Sequence, residues 1–237
     1  MGNQNVVITG GSKGIGKAIA DRLCEEAYNI IICSRHVDEA NEVVAQLKQK
    51  NPDGSYGAFY CDVSDPASIH AFADACMAFF NGKIDVLINN AGVFLPGMIS
   101  EEEDGNLQLM METNLYSAYH LTRLLLPVMK TNHSGHIVNM CSIASLIAYP
   151  NGGSYSISKF ALLAFSKVLR EEMKPYGIKV TSVMPGATWS DSWKGVDLPE
   201  DRLMSADDVA KIVSCALSLS GAANLEDVVL RPQLGDL

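Results

Sequence analysis

The chain has 237 residues, 48% of them hydrophobic, which is enough for one substantial core, and open α/β proteins of this length commonly form a single domain. Its 18 Lys and Arg residues against 27 Asp and Glu residues give a net charge of -9, which repels nucleic acid. We find no run of 18 apolar residues, no signal-peptide pattern and no lipidation motif, so we expect a cytoplasmic protein without a membrane partner.

Short β-rich segments alternate along the chain with segments of helical periodicity. The predicted strands cover residues 5–9, 29–34, 56–61, 84–88, 136–141, 178–183 and 227–230. The predicted helices cover approximately residues 14–27, 38–50, 66–80, 102–130, 153–176 and 206–219. The strands lack clean alternation of apolar and polar residues, which indicates burial on both faces. This order predicts an α/β protein with a doubly wound parallel sheet, the Rossmann fold, and helices on both faces.

One segment departs from this alternation. Residues 185–205 form the longest stretch without periodicity and contain Trp189 and Trp193. A loop of this length in a compact domain is usually functional or disordered. Two interpretations stay open, a lid over a substrate and a flexible insertion, and in both we expect one domain over residues 1–237.

The cysteines are scattered along the chain without any C-x-x-C pair, and most lie in apolar segments. We therefore expect reduced, buried thiols, with neither disulfides nor a metal site. The six positions are Cys24, Cys33, Cys61, Cys76, Cys141 and Cys215.

A glycine-rich turn follows the first predicted strand and leads into the first predicted helix. Glycines there permit a tight turn and let backbone N–H groups approach a pyrophosphate at the helix N-terminus, although such a turn can also occur without a ligand. The segment falls short of a P-loop, because Ala18 stands where the Ser or Thr that holds magnesium is required. The candidate cofactor-binding residues of this turn are Gly10, Ser12, Lys13, Gly14, Ile15 and Gly16.

The second predicted strand ends in Ser34-Arg35, where an NAD-binding protein carries Asp or Glu against the ribose hydroxyls. The Arg35 guanidinium can pair with a 2′-phosphate, and Lys13 can add a second positive charge. Either cation alone would be an ordinary surface charge. Their joint placement beside the expected ribose favours NADP(H).

Tyr155 and Lys159 are four residues apart, so a helix places them on one face. A phenol keeps its proton up to pH ~10, and a nearby ammonium stabilises the phenolate, so we expect Lys159 to lower the pKa of Tyr155. The pair can then donate a proton to a carbonyl oxygen. Ser142 follows the fifth strand and can hydrogen-bond the same oxygen. It lies outside any G-x-S-x-G motif, which argues against a serine hydrolase.

Together these motifs resemble the short-chain dehydrogenase/reductase family over nearly the whole chain. Thr9 to Gly16 is similar to the family's cofactor turn, Asp62-Val63 to the pair that contacts adenine, and Asn89 to Gly92 to its fourth-strand signature. The remaining family positions follow in order, as Asn114, Ser142, Tyr155, Lys159, Pro185 and Gly186.

This resemblance implies a catalytic tetrad of Asn114, Ser142, Tyr155 and Lys159. In such a tetrad Asn114 fixes a helix distortion and a water that relays protons to Lys159, which also holds the nicotinamide ribose. The further expected cofactor contacts are Ser34, Arg35, Asp62, Val63, Asn90, Ala91, Gly92, Pro185, Gly186, Thr188 and Ser190. Ser190 stands where the family usually carries threonine, so a smaller hydroxyl would bind the carboxamide.

The expected activity is the NADPH-dependent reduction of a ketone or aldehyde to an alcohol. A 3-oxoacyl-acyl-carrier-protein reductase is one interpretation. However, residues 226–233 lack the glycine-rich ending common in those enzymes and are more similar to sepiapterin-reductase-like bacterial members. A diketone reductase is a third interpretation. Two other classes stay open, a P-loop NTPase and an NADPH-sensing regulator without turnover.

Two surfaces follow from the pattern of apolar residues. The predicted helices at residues 102–130 and 153–176 carry more apolar residues than one sheet face needs, which favours pairing in a homodimer or homotetramer. The candidates for an apolar substrate wall, each of which could equally be ordinary core, are Phe94, Leu95, Met98, Leu146, Tyr149, Trp189 and Trp193.

Overall fold

The structure is a computed structural model that describes residues 3–190 and 195–236. Its centre is a seven-stranded sheet in the order β3-β2-β1-β4-β5-β6-β7, in which every neighbouring pair is parallel. The strands are β1 Asn5–Thr9, β2 Asn29–Ser34, β3 Tyr56–Tyr60, β4 Val86–Asn89, β5 Gly135–Met140, β6 Ile178–Pro185 and β7 Asp227–Leu230. The predicted doubly wound sheet is therefore confirmed.

Helices connect successive strands. They are α1 Gly14–Glu25, α2 Val37–Lys50, α3 Pro66–Phe79, α4 Asn106–Met111, α5 Ser117–Asn132, α6 Gly153–Met173 and α7 Ala206–Ser218. Capping residues fix where two of them begin. Asp65 accepts hydrogen bonds from the backbone of Ala67 and Ser68 at the start of α3, and Ser205 forms a reciprocal capping box with Asp208 at the start of α7.

Apolar residues of the strands pack alternately against two layers of helices. Val6 and Ile8 of β1 face the cluster built with α1, α2 and α7, whereas Val7 faces the cluster built with α3, α5 and α6. Fully burying one such aliphatic side chain stabilises the fold by about 1.5–3 kcal/mol. The helices therefore cover both faces of the sheet, as predicted.

The prediction that the strands are buried on both faces is confirmed for β1 in the centre of the sheet and is wrong for β7, the last strand. Residues of β1 are all buried, but β7 alternates between exposed and partly buried residues. The reason is the position of β7, which pairs only with β6 and forms an edge of the sheet.

The prediction of mostly buried thiols is confirmed, since all the cysteines except Cys215 are buried.

The predicted helix over residues 102–130 is wrong at its start, and in its middle it has the helix distortion that the family resemblance implies at Asn114. Residues 102–105 form a turn, and α4 begins only after Gly105, whose φ of +93° is left-handed. A five-residue π-helical turn, Glu112–Tyr116, then separates α4 from α5. Such turns arise when one extra residue is inserted into a helix, and they are frequent at functional sites.

Within the described part of the chain, no helix is long and apolar enough to span a membrane.

Candidate active site

The order of the sheet locates the crevice in which a ligand would bind. The chain moves from β1 to β2 and β3 on one side of the sheet, and then returns to β4 on the other side of β1. In doubly wound sheets, ligands bind outside the carboxyl ends of the strands at this reversal. The glycine-rich turn follows β1, and residues 90–92 follow β4, so both lie at this point.

The glycine-rich turn has the shape that a pyrophosphate needs. Gly14, the first residue of α1, has a φ of +54°, and a Cβ built on it would meet no atom within 4 Å. The backbone in front of the helix therefore has space for a ligand at the positive end of the helix dipole. At Gly16 the backbone lies so close to the Gly10 carbonyl that a side chain could not fit. The residues of the turn thus fit a dinucleotide phosphate.

Two residues behind the turn hold it in place. Thr9 Oγ1 accepts hydrogen bonds from Asn90 N at 3.0 Å and from Ala91 N at 2.9 Å. In return, Asn90 Nδ2 donates to the carbonyls of Thr9 at 2.9 Å and Gly10 at 3.0 Å. The side-chain amide nitrogen of Asn90 therefore shapes the turn. Its neighbour Asn89 points into the core, where it donates to Asn139 Oδ1 at 2.8 Å.

The structure brings the turn together with the end of β2. Ser12 Oγ donates to Ser34 Oγ at 3.1 Å, and Ser34 Oγ also accepts from His36 N at 3.0 Å. These bonds fix the corner that carries Arg35, whose side chain is exposed. Lys13 precedes α1 in the same turn, in extended conformation. The two predicted cations thus lie on segments that contact each other.

Asp62 and Val63 follow β3 and border the same corner. Asp62 Oδ1 accepts from the Ser64 hydroxyl at 2.7 Å and from Ser64 N at 3.0 Å, and these bonds lower the pKa of Asp62 together with the charge of Arg35. The carboxylate is therefore ionised at neutral pH. Val63 is half-buried and packs on the core beneath.

Tyr155, Ser142 and Lys159 meet at the carboxyl end of β5. Ser142 follows β5 and caps the start of the 3-10 turn Ile143–Ser145, and its hydroxyl hydrogen-bonds Tyr155 in the first turn of α6. Lys159 lies one helical turn further along, with its Nζ 5.8 Å from the centre of the Tyr155 ring. Lys159 Nζ donates to Met140 O at 2.8 Å, which uses one of the three donors of the ammonium.

Burial governs the ionisation of this pair. It raises the pKa of Tyr155 above its usual value, while the hydrogen bond from Ser142 opposes that rise. Burial also lowers the pKa of Lys159 to about 8. The expectation that Lys159 lowers the pKa of the phenol is therefore not met in this structure, because burial raises that pKa and the opposing effect comes from Ser142.

Asn114 lies inside the π-helical turn and is buried. Its side chain bonds the backbone of Val93, since Oδ1 accepts from Val93 N at 2.7 Å and Nδ2 donates to Val93 O at 3.0 Å. Nδ2 also donates to Ser158 Oγ at 2.9 Å, next to Lys159 in the chain. A Cβ at Gly92 would lie 3.1 Å from Asn114 Oδ1 and 3.5 Å from Lys159 Nζ, so glycine allows this close approach.

The segment after β6 closes the other side of the crevice. Pro185 ends β6, and Gly186 N donates to Leu230 O at 2.7 Å. Thr188 Oγ1 donates to Gly186 O at 3.0 Å, so this hydroxyl folds the turn back on itself. Ser190 is partly exposed and ends this part of the described chain.

Aromatic residues stand next to Tyr155. The ring of Phe94 meets the Tyr155 ring edge to face, with ring centres 4.8 Å apart. Burial raises the pKa of Tyr149 to about 12, with smaller contributions from Tyr155 and Asp236, so Tyr149 lies near both. Met98 and Tyr149 line one surface groove. Trp193, another predicted wall residue, lies outside the described residues.

A family model described as short chain dehydrogenase matches residues 4–201 of the chain. The chain belongs to the short-chain dehydrogenase family. It is 29% identical to the sepiapterin reductase of Chlorobaculum tepidum over 240 residues, which cover 98% of this chain and 97% of that protein. The predicted family resemblance is confirmed, and the chain is an oxidoreductase of this family.

Solved structures of the family have the same fold. A metagenomic short-chain oxidoreductase in complex with NADP superposes with a TM-score of 0.85 at 28% identity, covering 98% of both chains. A 7α-hydroxysteroid dehydrogenase complexed with NADH and a 7-oxo bile acid superposes with a TM-score of 0.89 at 27% identity, covering 99% of this chain and 95% of that one. Both likenesses extend over nearly the whole of this dehydrogenase.

The P-loop interpretation has no support in the geometry of this dehydrogenase. Lys17 holds the position of a P-loop lysine, but its Nζ forms an ion pair with Asp21 Oδ2 at 2.7 Å, one helical turn along α1. Lys50 Nζ binds the other oxygen of Asp21, also at 2.7 Å. The ammonium of Lys17 is therefore paired with the Asp21 carboxylate on the side of α1.

Some residues that build the site were missed in the sequence. Thr9 was named only as the start of the cofactor turn and was given no role of its own, although a small polar residue between a buried strand and a glycine turn indicates one. Glu102 gave no such signal, because it was assigned to a helix. In the structure it accepts hydrogen bonds from the hydroxyl and backbone N–H of Ser154, directly before Tyr155. The loop after β4 is thereby tied to the first turn of α6.

Proposed function

We propose that this short-chain dehydrogenase uses NADPH to reduce a ketone or aldehyde to an alcohol. The observation that carries the proposal is the convergence of Ser142, Tyr155 and Lys159 at the carboxyl end of β5. This cluster lies beside an open glycine turn that fits a dinucleotide phosphate. When bound, the cofactor supplies the hydride.

The residues of the chain bind and orient the reactants. Backbone N–H groups at the start of α1, around Gly14, hold the pyrophosphate. Asn90 and Ala91 keep the floor of the crevice in place through Thr9, and Gly92 leaves space for the close approach of Asn114 and Lys159. Asp62 and Val63 border the adenine, and the segment from Pro185 to Ser190 borders the nicotinamide. Thr188 fixes the turn of that segment through its hydrogen bond to Gly186 O, and Ser190 would bind the carboxamide of the nicotinamide.

Tyr155 donates the proton. Its pKa is raised, so the phenol keeps its proton at neutral pH and can give it to the carbonyl oxygen as negative charge develops there. When a substrate binds, Ser142 can turn its one hydroxyl proton from the phenol to the same carbonyl oxygen. Lys159 has a pKa of about 8, so it is mostly charged at pH 7 and stabilises the phenolate that remains. Asn114 holds the π-helical turn against Val93 beside this lysine.

The test of this function is consumption of NADPH by the purified protein with four carbonyl classes: acetoacetyl thioesters, pterins, diketones and small aldehydes. We expect at least one class to be reduced, with the alcohol formed in equal amount to the NADPH consumed. A similarity of 29% to a sepiapterin reductase over almost the full length makes pterins the first class to try. Absence of turnover in every class would contradict the proposal and favour a sensor that binds NADPH.

Arg35 should determine the choice of cofactor. The Arg35→Asp variant replaces a cation by an anion next to the 2′-phosphate, so charge-assisted hydrogen bonds are lost and repulsion is added. We expect kcat/KM for NADPH to fall about 100-fold while that for NADH falls little or rises. The matched control is Lys48→Glu, a charge reversal at an exposed position at the end of α2. An unchanged preference for NADPH in Arg35→Asp would exclude this role.

We further propose that the enzyme assembles through α5 and α6 into a homodimer or homotetramer. These helices present an apolar groove lined by residues that include Tyr116, Tyr119, Phe165 and Val168, and Val168 is 58% exposed. Such a patch on a soluble protein commonly marks an interface. We expect light scattering to show an oligomer for the wild type and a monomer for Val168→Glu, and a wild-type monomer would contradict this assembly.

Three further assignments belong to the same proposal. We place the whole of residues 1–237 in one dinucleotide-binding domain, with residues 185–205 as a lid over the substrate, of which residues 191–194 lie outside the described residues. The free, mostly buried thiols fit a reducing cytoplasm. Limited proteolysis tests the lid, since bound NADPH and product should slow cleavage within residues 185–205, and cleavage at an unchanged rate would contradict it.

A further inference from the structure

The residues that follow β7 cross the segment that follows β6. We define residues 231–236 as the tail. Within it, Asp236 Oδ1 accepts a hydrogen bond from Ala187 N at 2.8 Å. A Cβ built on Gly186 would overlap the same carboxylate oxygen, so the carboxylate sits directly against the backbone of this turn. Arg231 Nε donates to Asp236 Oδ2 at 2.7 Å and holds the other oxygen.

The tail also contacts Arg202, near the C-terminal end of the segment that follows β6. Arg202 donates to Gly235 O at 2.8 Å and to Asp236 O at 3.5 Å. Met204 N donates to Ala187 O at 3.2 Å, which joins the two ends of the segment directly. Residues 186–188 and 202–204 are therefore fixed to each other and to the tail.

The carboxylate of Asp236 lies near Tyr149, which in turn lies near the proposed acid Tyr155. Asp236 adds to the rise in the pKa of Tyr149, which burial mainly causes, and Tyr155 adds to it as well. Tyr149 thus lies close enough to both Tyr155 and Asp236 for their charges to affect its pKa. The side chain of Asp236 is 22% exposed, so its hydrogen bonds are largely shielded from water.

We propose that Asp236 is a positioning residue, which acts through Ala187 to fix the turn Gly186–Thr188 against the nicotinamide end of the bound dinucleotide. The inference rests on the proposed function, because it assigns the nicotinamide to this turn. A carboxylate suits the position, since one oxygen can accept from a backbone N–H while the other binds the Arg231 guanidinium. The proposed function assigns the adenine end of the dinucleotide to the other side of the crevice, near Arg35, so a change at Asp236 should not affect the binding of that end.

This separation gives the test a readout that a general loss of structure would not produce. Dissociation constants are measured for NADPH and for adenosine 2′,5′-bisphosphate, which carries the 2′-phosphate and adenine but no nicotinamide. For Asp236→Ala we expect the Kd of NADPH to rise about tenfold and that of the bisphosphate to stay within a factor of about two, because only the nicotinamide turn loses its support. Asp236→Asn keeps an acceptor for Ala187 N and should raise the Kd of NADPH by about threefold at most.

The control is Asp207→Asn, which breaks an exposed ion pair with Lys211 at 2.8 Å on α7 and should change neither constant. If Asp236→Ala does not fold, Arg202→Met loosens the tail from its other contact and should show the same split between the two ligands. Equal weakening of both ligands, or no weakening of either, would overturn the inference. Failure of the wild type to bind NADPH would instead contradict the proposed function, so the two failures are distinguishable.

Discussion

Replacing Tyr155 by Phe is expected to lower kcat/KM for carbonyl reduction about 1,000-fold, because the variant has no proton to give to the carbonyl oxygen. The ring remains, so its edge-to-face contact with Phe94 at 4.8 Å and the shape of the crevice are retained. We therefore expect the Kd of NADPH to stay within about twofold of the wild-type value. The measurement pairs NADPH oxidation, followed by absorbance, with NADPH binding, followed by fluorescence.

The control for this substitution is Tyr176→Phe, which removes a phenolic hydroxyl just after the C-terminal end of α6, whereas Tyr155 and Lys159 lie at its N-terminal end. Tyr176 contacts the Lys130 ammonium through its ring, with 4.1 Å between Nζ and the ring centre, and the phenylalanine keeps that contact. Full activity in Tyr176→Phe with loss in Tyr155→Phe would assign the effect to one hydroxyl. A Tyr155→Phe enzyme as active as the wild type would refute the assignment of the acid.

Replacing Lys159 by Met should change activity and stability in opposite directions. Activity is expected to fall about 1,000-fold, since the charge that stabilises the phenolate is lost. At pH 7 the free energy of unfolding is expected to rise by about 1–3 kcal/mol, because the wild type holds an ammonium in a buried site and the variant does not. The lost hydrogen bond from Nζ to Met140 O limits that gain.

The sign of the pH dependence follows from the lowered pKa of Lys159. The folded enzyme releases this proton at about pH 8, whereas the unfolded chain keeps it up to 10.5. Between these values the unfolded state binds more protons, so wild-type stability gains about 3 kcal/mol from this group as the pH rises from 8 to 10.5. Urea unfolding of wild type and Lys159→Met at several pH values isolates the effect, since other titrating groups are common to both. If the free energies of unfolding of the two proteins changed in parallel with pH, the lowered pKa of Lys159 would be contradicted.

The same pKa predicts a limit on catalysis at alkaline pH. Above pH 8 the Lys159 side chain of the free enzyme becomes neutral, so kcat/KM of the wild type should decline there. Tyr155, whose pKa is raised, stays protonated in that range and does not account for the decline.

Most of the sheet could be predicted from the sequence because its strands are short apolar runs between turns. The bounds of β1, β2 and β7 agree with the predicted ones, since polar or glycine residues flank each of them. The exposure of β7 could not be predicted, because it depends on which strand occupies an edge of the sheet. A helix distortion at Asn114 was implied only by the family resemblance, and apolar periodicity alone did not indicate the five-residue π-helical turn that forms it.

The candidate site was predictable wherever a local motif carries it. Tyr155 and Lys159 share one helix, and the glycine turn is continuous in sequence, so spacing alone brought these residues together. Asp236 and Glu102 act through contacts between segments far apart in the chain, which no local pattern records. The pKa of Tyr155 was misjudged because spacing shows a nearby lysine and does not show burial.

The central claim is that the Tyr155 hydroxyl faces the carbon from which hydride leaves. A crystal structure of the enzyme with bound NADP⁺ tests it most directly. We expect Tyr155 Oη within roughly 5 Å of C4 of the nicotinamide, with room between them for a carbonyl group, and Lys159 Nζ within hydrogen-bond distance of the nicotinamide ribose. A structure in which the phenol points away from the nicotinamide, or in which the dinucleotide lies outside the crevice at the ends of β1 and β4, would contradict the account.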